Sequence, residues 1–447
     1  MISPCVLLLS VAICAYAAPA AYAGSFEDAL SSAYENNPRI KADRQRQQAT
    51  DEQVAQAVSG FRPNISANYG TGRQRSSTAG APWVNGNDTT KGLNVTQPLF
   101  RGGGTWSSYQ AALQRVKSGE YSLGALEQQV MLDSATTYMN VVQASAILEL
   151  SRQNMDVLGA QLKAANTKFQ VGEVTRTDVA QSESRLSDAK SRVIGAEGEL
   201  LGAMAVYEHV IGVKPEGTLT VPDRLPELPI SLDDALERSR GANPQLLAAI
   251  HNAKAADYDV RTSESALLPR VDLVGSMNRQ SGAVSAGASD FDQDRVGLQV
   301  SIPIYQSGSE YSRVRQASAT ARQRDHQSID ARMNIDQQVA QAWEQLESAT
   351  ATIGIRNDQI KSATLALDGV KQEQQYGSRT VLDVLDAEQE LFTARTNLVR
   401  AQRDRIVSAY TLAFNLGQLT PNNLGLTVAQ YDPQVHADKV GWKTLGF

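Results

Sequence analysis

Asp383 and Asp386 stand one helical turn apart in the run Gly377-Ser378-Arg379-Thr380-Val381-Leu382-Asp383-Val384-Leu385-Asp386. Carboxylates at that spacing share one face of a helix, and Arg379 brings a guanidinium beside them. The chemistry on offer is ionic. Thr380 and Asp383 have the spacing of a capping box, in which a hydroxyl and an acid satisfy free amides at a helix start, and an acid there also meets the positive end of the helix dipole. Asp386 lies one turn beyond the cap and needs another explanation. Covalent and proton-transfer chemistry lacks its usual parts. His209, His251, His326 and His436 are scattered without metal-ligand spacing, and no H-E-x-x-H, G-x-S-x-G or phosphate-loop pattern occurs. The glycines of Arg101-Gly102-Gly103-Gly104 and Gly70-Thr71-Gly72 fall at element junctions, where flexibility accounts for them. The chain reads as a non-enzyme, with no catalytic residue and no cofactor.

About 205 residues earlier the same pattern occurs with altered side chains: Val171-Gly172-Glu173-Val174-Thr175-Arg176-Thr177-Asp178-Val179. Thr175 and Asp178 repeat the cap, but Val174 stands where Arg379 does and Gln181 where Asp386 does. The likeness extends through the chain. Ser25-Phe26-Glu27-Asp28-Ala29-Leu30 with Asn37-Pro38 returns as Ser231-Leu232-Asp233-Asp234-Ala235-Leu236 with Asn243-Pro244. Pro98-Leu99-Phe100-Arg101-Gly102-Gly103 matches Pro303-Ile304-Tyr305-Gln306-Ser307-Gly308, and Ile211-Gly212 matches Leu416-Gly417. A constant offset of this kind marks one unit duplicated. The first repeat is residues 24–212 and the second 231–417, joined by a Pro-rich linker (213–230) and followed by a tail (418–447).

The elements that must position the acids follow from the hydrophobic period. In each repeat a helical stretch, from about Phe26 to Gly60 in the first, ends before a proline. Alternation then takes over. Ile65, Ala67 and Tyr69 alternate with polar or small residues, as do Leu93, Val95 and Leu99. Val271, Leu273 and Met277, then Val296, Leu298, Val300 and Ile302, repeat this. The strand hairpins, residues 64–100 and 270–305, enclose polar loops, one containing Trp83 and the other running from Ser281 to Asp290. Such strands suit an antiparallel sheet lying on a core or the wall of a membrane barrel. The flanking prolines and the lack of anything to cover the apolar faces favour the barrel. Four strands cannot close one, since about eight are the minimum, so several chains must pool theirs.

The rest is helix. From about Gly308 to Tyr376 no proline intervenes, and Leu346, Ile353, Ile360 and Leu367 recur every seven residues, continued by Val339 and Trp343. That repeat specifies coiled-coil packing. The stretch from about Gly104 to Phe169 behaves alike, with Val130, Tyr138, Val141, Ile147 and Leu150 among its apolar positions. Each long helix stops at a glycine turn, Gly172 or Gly377, and a second helix returns, giving two tall helical hairpins.

Composition agrees. The chain has 447 residues, few aromatics and a net charge of -6, which favours long helices with narrow apolar seams and offers no basic footprint for nucleic acid. Residues 1–23 carry no charged side chain and end in Ala21-Tyr22-Ala23, which reads as a secretory signal peptide. Both cysteines, Cys5 and Cys14, lie inside it, so the mature chain is expected to hold no disulfide and no thiolate metal site.

On the Gly377–Asp386 run, the Gly172 turn with Thr177-Asp178, the Asn-Pro pairs and the strand-proline-aromatic-glycine entries to the long helices, the chain resembles the TolC family of outer-membrane channel-tunnel proteins. The resemblance covers nearly all of the mature sequence. It implies a mainly α fold with a small transmembrane β part: a homotrimer, four strands per chain in a twelve-stranded barrel, continuous with a hollow α-helical coiled-coil barrel that an equatorial band of linker and tail surrounds. It implies an exit duct in the outer membrane for efflux or type I secretion, reaching into the periplasm, with outer-membrane lipid around it. Its partners would be a periplasmic adaptor and an inner-membrane transporter of RND or ABC type. Carried over by position, Asp383 and Asp386 would form two acidic rings at the periplasmic mouth, a place for a blocking cation. Arg379 would hold the mouth closed through Asp178 and Thr177 of a neighbouring chain. The family tyrosine that also ties this latch is Gln374 here. A non-channel trimeric coiled-coil spacer or adhesin is the alternative, and it needs neither the strands nor the tip carboxylates. An ordinary porin would need more strands and no long helices.

Overall fold

The computed structural model describes residues 25–77, 83–222, 224–285 and 288–440. The expected signal segment lies outside these residues, as does the end of the tail. Ser25 caps α1 (Phe26–Asn36), its Oγ accepting from the Asp28 amide at 3.1 Å. The single helical stretch expected from Phe26 to Gly60 is two helices, because α2 (Pro38–Ser59) starts afresh at Pro38. A residue before proline is driven out of the helical region, and Asn37 is extended, with φ -61° and ψ 123°. Asn37 does double duty. Its Oδ1 accepts from the Arg39 amide and its Nδ2 donates to the Val210 carbonyl, both at 2.9 Å. Asn243 repeats both contacts, to Gln245 and Asn415.

The strands are β1 (Asn64–Ser76), β2 (Val84–Arg101), β3 (Arg270–Ser285) and β4 (Ala288–Ser301), in one antiparallel sheet of that order. They run further than the apolar alternation suggested. The expected polar loops are largely strand, with Arg73 facing Asn87 and Ser281 facing Asp290 in unbroken register. Backbone pairing continues past the apolar band, so side-chain polarity marks where the apolar face ends and not where the strand does. One face carries Ile65, Tyr69, Val296, Leu298 and Val300, each more than half exposed. The other carries Asn68, Asn94, Ser276 and Gln299. No helix among the described residues is long and apolar enough to cross a membrane.

The long helices α3 (Gly104–Gln170) and α7 (Ser309–Gln375) each have 67 residues, about 100 Å at 1.5 Å per residue. Their returns are α4 (Arg176–Ile211) and α8 (Val381–Asn415). The heptad seam is real: Val339, Leu346 and Leu367 are buried, and Ile360 packs in the cluster of Leu367. Two shorter helices of the second repeat, α5 (Leu232–Ala242) and α6 (Pro244–Ser265), match α1 and α2. Toward the sheet the helices lie in the order α2, α3, α6, α7; toward the tips it is α4, α3, α8, α7.

Midway along the helices sits the main core. Phe26 meets Tyr138 edge-on at 5.1 Å, and Tyr207, Tyr410 and Ile211 complete a buried group. Leu219 of the linker and Leu419 and Leu426 of the tail close over it. The tail is irregular chain plus a short helix, α9 (Gln434–Val440), held to α2 by His436 against the fully buried Asp51 at 2.9 Å. The Arg44 guanidinium lies between the rings of Tyr34 and Tyr431 and pairs with Glu127 at 3.0 Å.

Candidate functional site

Both helical hairpins end in the same backbone. The glycine after each long helix takes the left-handed conformation, φ 81° at Gly172 and 77° at Gly377, which only glycine adopts without steric cost. The amide of the following residue then reaches back five positions: Glu173 to the Lys168 carbonyl at 2.9 Å and Ser378 to the Glu373 carbonyl at 3.0 Å. This is the glycine-terminated helix end described by Schellman geometry. Two residues on, each return helix begins with a full capping box. The Thr175 amide and hydroxyl donate to Asp178 Oδ2 at 2.8 Å, and the Asp178 amide donates back to the hydroxyl at 3.2 Å. Thr380 and Asp383 reproduce all three distances.

On this common frame the side chains diverge. Arg379 donates through Nε to Glu373 Oε2 at 2.9 Å, bracing the second turn across its own base. Glu373 stands where the first repeat has Lys168, so the pair is available to one tip alone. Asp386 reaches sideways to the other hairpin and pairs with Arg185 of α4 at 2.6 Å. Beneath it Leu385, buried, packs with Leu158 and Ala189, and Arg192 of α4 donates to Gln389 of α8. The second tip is thus tied to the first by a charge pair over an apolar contact.

Within one chain Arg379 meets Glu373, while the Asp178 carboxylate is taken up by Thr175. Thr177 is exposed. Gln374 contributes its backbone carbonyl, which accepts from the Gly377 amide at 3.2 Å. Sequence reasoning missed two partners, Glu373 and Arg185. The first had a signal in the Lys168-to-Glu373 change between repeats; the second depends on how two hairpins lie together. Hydrogen bonds from the Thr380 backbone and hydroxyl hold the Asp383 carboxyl below the usual carboxylate range, and Arg379 adds to this. Glu373 in turn secures the charge on Arg379. Asp383 is therefore anionic at neutral pH in a surface of mixed charge. Among the described residues no three His, Cys, Asp or Glu side chains converge to hold a metal ion. A cation at Asp383 and Asp386 would need carboxylates from more than one chain. The tip surface itself is partly apolar, with Tyr376 90% and Val171 68% exposed.

The family model "outer membrane efflux protein" matches residues 29–210 and 235–418, one repeat each. Over 435 residues the chain is 34% identical to the outer membrane efflux protein BepC of Brucella suis biovar 1 (strain 1330), covering 96% of this chain and 92% of that one. It is 26% identical to the outer membrane protein TolC of Escherichia coli (strain K12) over 408 residues, 87% of this chain and 81% of that one. The fold is similar to the crystal structure of the Campylobacter jejuni CmeC outer membrane channel, with a TM-score of 0.79 at 17% identity, covering 93% of this chain and 89% of that one.

Proposed function

This chain belongs to the outer membrane efflux protein family, and we propose that three copies of it form a gated exit duct from the periplasm through the outer membrane. The observation that carries this reading is the union, in one chain, of a four-stranded sheet with an apolar and a polar face and helices about 100 Å long that lead away from it. Four strands bury nothing alone. Pooled from three chains, twelve form a closed wall, apolar face to lipid and polar face to a water-filled bore. The helices extend that bore into the periplasm. A spacer or adhesin would have no use for the two-faced sheet.

The gate is at the helical tips. Copies arranged about an axis bring Asp383 and Asp386 together as rings of carboxylate, which select cations and bind multivalent ones. Arg379, with Glu373 on its own chain and Asp178 and Thr177 offered by a neighbour, holds the tips inward. Exposed ion pairs of this kind are worth about 1 kcal/mol or less each, weak enough for a docking partner to break. That partner is a periplasmic adaptor meeting the tips, where Tyr376 and Val171 are exposed, and the energy comes from an inner-membrane transporter. Reconstitution of the purified protein in planar bilayers tests the reading. A small, cation-selective conductance is expected, and the absence of any channel would leave only a structural role.

A further inference from the structure

The sheet has two free edges, β1 and β4, and the chain already contains a template for the joint that would unite them. β1 and β3 are repeat equivalents, as are β2 and β4, and their registers agree. Ile65 faces Val95 as Val271 faces Val300, and Arg73 faces Asn87 as Arg279 faces Asp292. The internal junction of β2 with β3 is then the pattern for β4 of one copy against β1 of the next. In it Val95 faces Gly275, Leu93 faces Met277, Lys91 faces Arg279 and Thr89 faces Ser281. Moved along by one repeat, these pairs become Val300 opposite Tyr69, Leu298 opposite Thr71, Val296 opposite Arg73, and Asp294 opposite Arg75.

Charge on the same outward face favours this joint. β4 carries Asp290, Asp292 and Asp294, where β2 has the neutral Asn85, Asn87 and Thr89. Within the chain Arg279 answers two of these acids, at 2.7 Å from Asp294 and 3.4 Å from Asp292. β1 carries Arg73 and Arg75. Arg73 makes no ion pair among the described residues, and the Arg75 guanidinium lies over the Trp83 ring at 5.0 Å. Like charges directly opposite on neighbouring strands destabilise the pair. Opposite charges there stabilise it. Joining β4 to β1 sets acid against arginine, and this head-to-tail arrangement is the one that closes into a ring.

We propose that a second copy of this chain docks its β1 against β4 in this register, the β4 acids lying between Arg279 of their own chain and Arg73 and Arg75 of the next copy. The inference rests on the trimeric reading and adds to it the register and the charges that select it. Both cysteines of the sequence, Cys5 and Cys14, fall in the expected signal segment, so disulfide trapping in the processed protein has a clean background. The full-length protein carrying Tyr69→Cys and Val300→Cys, oxidised in outer-membrane vesicles, is expected to give covalent trimers on non-reducing gels. Pairing Tyr69→Cys with Leu298→Cys or Ile302→Cys should give several-fold less. Preferential trapping of either shifted pair would overturn the register while leaving the trimer in place; inter-chain products from none of the three would overturn the trimer as well. Arg75→Glu should lower the Tyr69–Val300 yield several-fold and Arg75→Gln less so. Equal yields from both and from the parent would overturn the selection by charge.

Discussion

At the first helical tip a threonine and an aspartate close the start of the return helix, and their neighbours are Val174 and Gln181. At the second the same pair, with the same three hydrogen-bond distances, is joined by Arg379 and Asp386. The backbone was kept after duplication and the charges were not. Arg379 braces its own turn through Glu373, and Asp386 crosses to Arg185 of the first hairpin. The second tip thus supplies both of these ionic contacts from positions where the first has Val174 and Gln181. The strand hairpins differ in the same manner, since Arg73 and Arg279 are equivalent but only the second faces acids across its hairpin. Divergence between the copies thus shows at the helical tips and on the apolar face of the strands.

The largest effect should come from removing the arginine. Arg379→Ala is expected to raise single-channel conductance in planar bilayers several-fold, whereas Val174→Ala at the matching position should leave it unchanged. Glu373→Gln and Asp178→Asn separate the two supports of the guanidinium. If the brace within the chain dominates, Glu373→Gln opens the channel; if the neighbouring chain does, Asp178→Asn opens it. Unaltered conductance in all three variants would remove the latch from this tip.

Next is the acid pair. Asp383→Asn together with Asp386→Asn should raise the concentration of a trivalent cation needed for half-block by about tenfold or more, because rings of carboxylate concentrate cations at the pore axis. Gln181→Asp, which gives the first tip the acid it lacks, should strengthen block. Block of parental strength in the double variant would show that the carboxylates do not converge.

Much of this was legible in the sequence for identifiable reasons. The seven-residue recurrence of Leu346, Ile353, Ile360 and Leu367 is a property of one helix, and so is the three-residue cap of Thr380 and Asp383. Both could be read from spacing alone. The repeat offset then paired each element of the first repeat with one of the second. Other features were hidden because they depend on what lies opposite. Strand pairing runs to Ser76 and Ser285 over polar residues, which alternation of apolar side chains cannot report. The contact of Asp386 with Arg185 joins residues about 200 apart, and no local pattern announces it.

The cores of the repeats differ as well, and alkali should expose this. The first repeat's core gathers Phe26, Tyr34, Tyr138 and Tyr207 around Tyr410. The matching positions for Tyr34, Tyr138 and Tyr207 are Arg240, Trp343 and Leu412, and the second core is aliphatic apart from Trp343 at its margin. Burial pushes the Tyr207 hydroxyl up to about 12, and Tyr410 rises too. The Tyr207 hydroxyl is buried without a hydrogen-bond partner. A phenol whose pKa is raised by folding keeps its proton in the native state after the unfolded chain has lost it. Stability is then constant below the ordinary tyrosine pKa of about 10 and falls as pH climbs from there toward the folded value. Thermal melts at rising pH should show this loss, and Tyr207→Phe should lessen it. A loss unchanged in that variant would assign the alkaline sensitivity elsewhere.

The smallest effect concerns what the tips share. Thr175→Ala and Thr380→Ala each remove a helix cap and should each cost about 1 kcal/mol of local stability, read as faster hydrogen exchange in the first turns of α4 and α8. Only the second should also disturb the gate. Thr380 is the main reason the Asp383 carboxyl lies below the usual range. A carboxyl lowered in the folded state contributes stability above its unfolded pKa, which disappears as pH falls through the lowered value. With Thr380→Ala the hydroxyl's share is removed and the folded value rises toward the unfolded one, so that acid-side loss should be smaller and complete at higher pH. Equal exchange at both tips, with cation block shifted in Thr380→Ala alone, would confirm one scaffold carrying two assignments. Unequal exchange at neutral pH would mean the backbones differ in strength as well, so that the second tip is soft by construction of its helix end and not only by its charges.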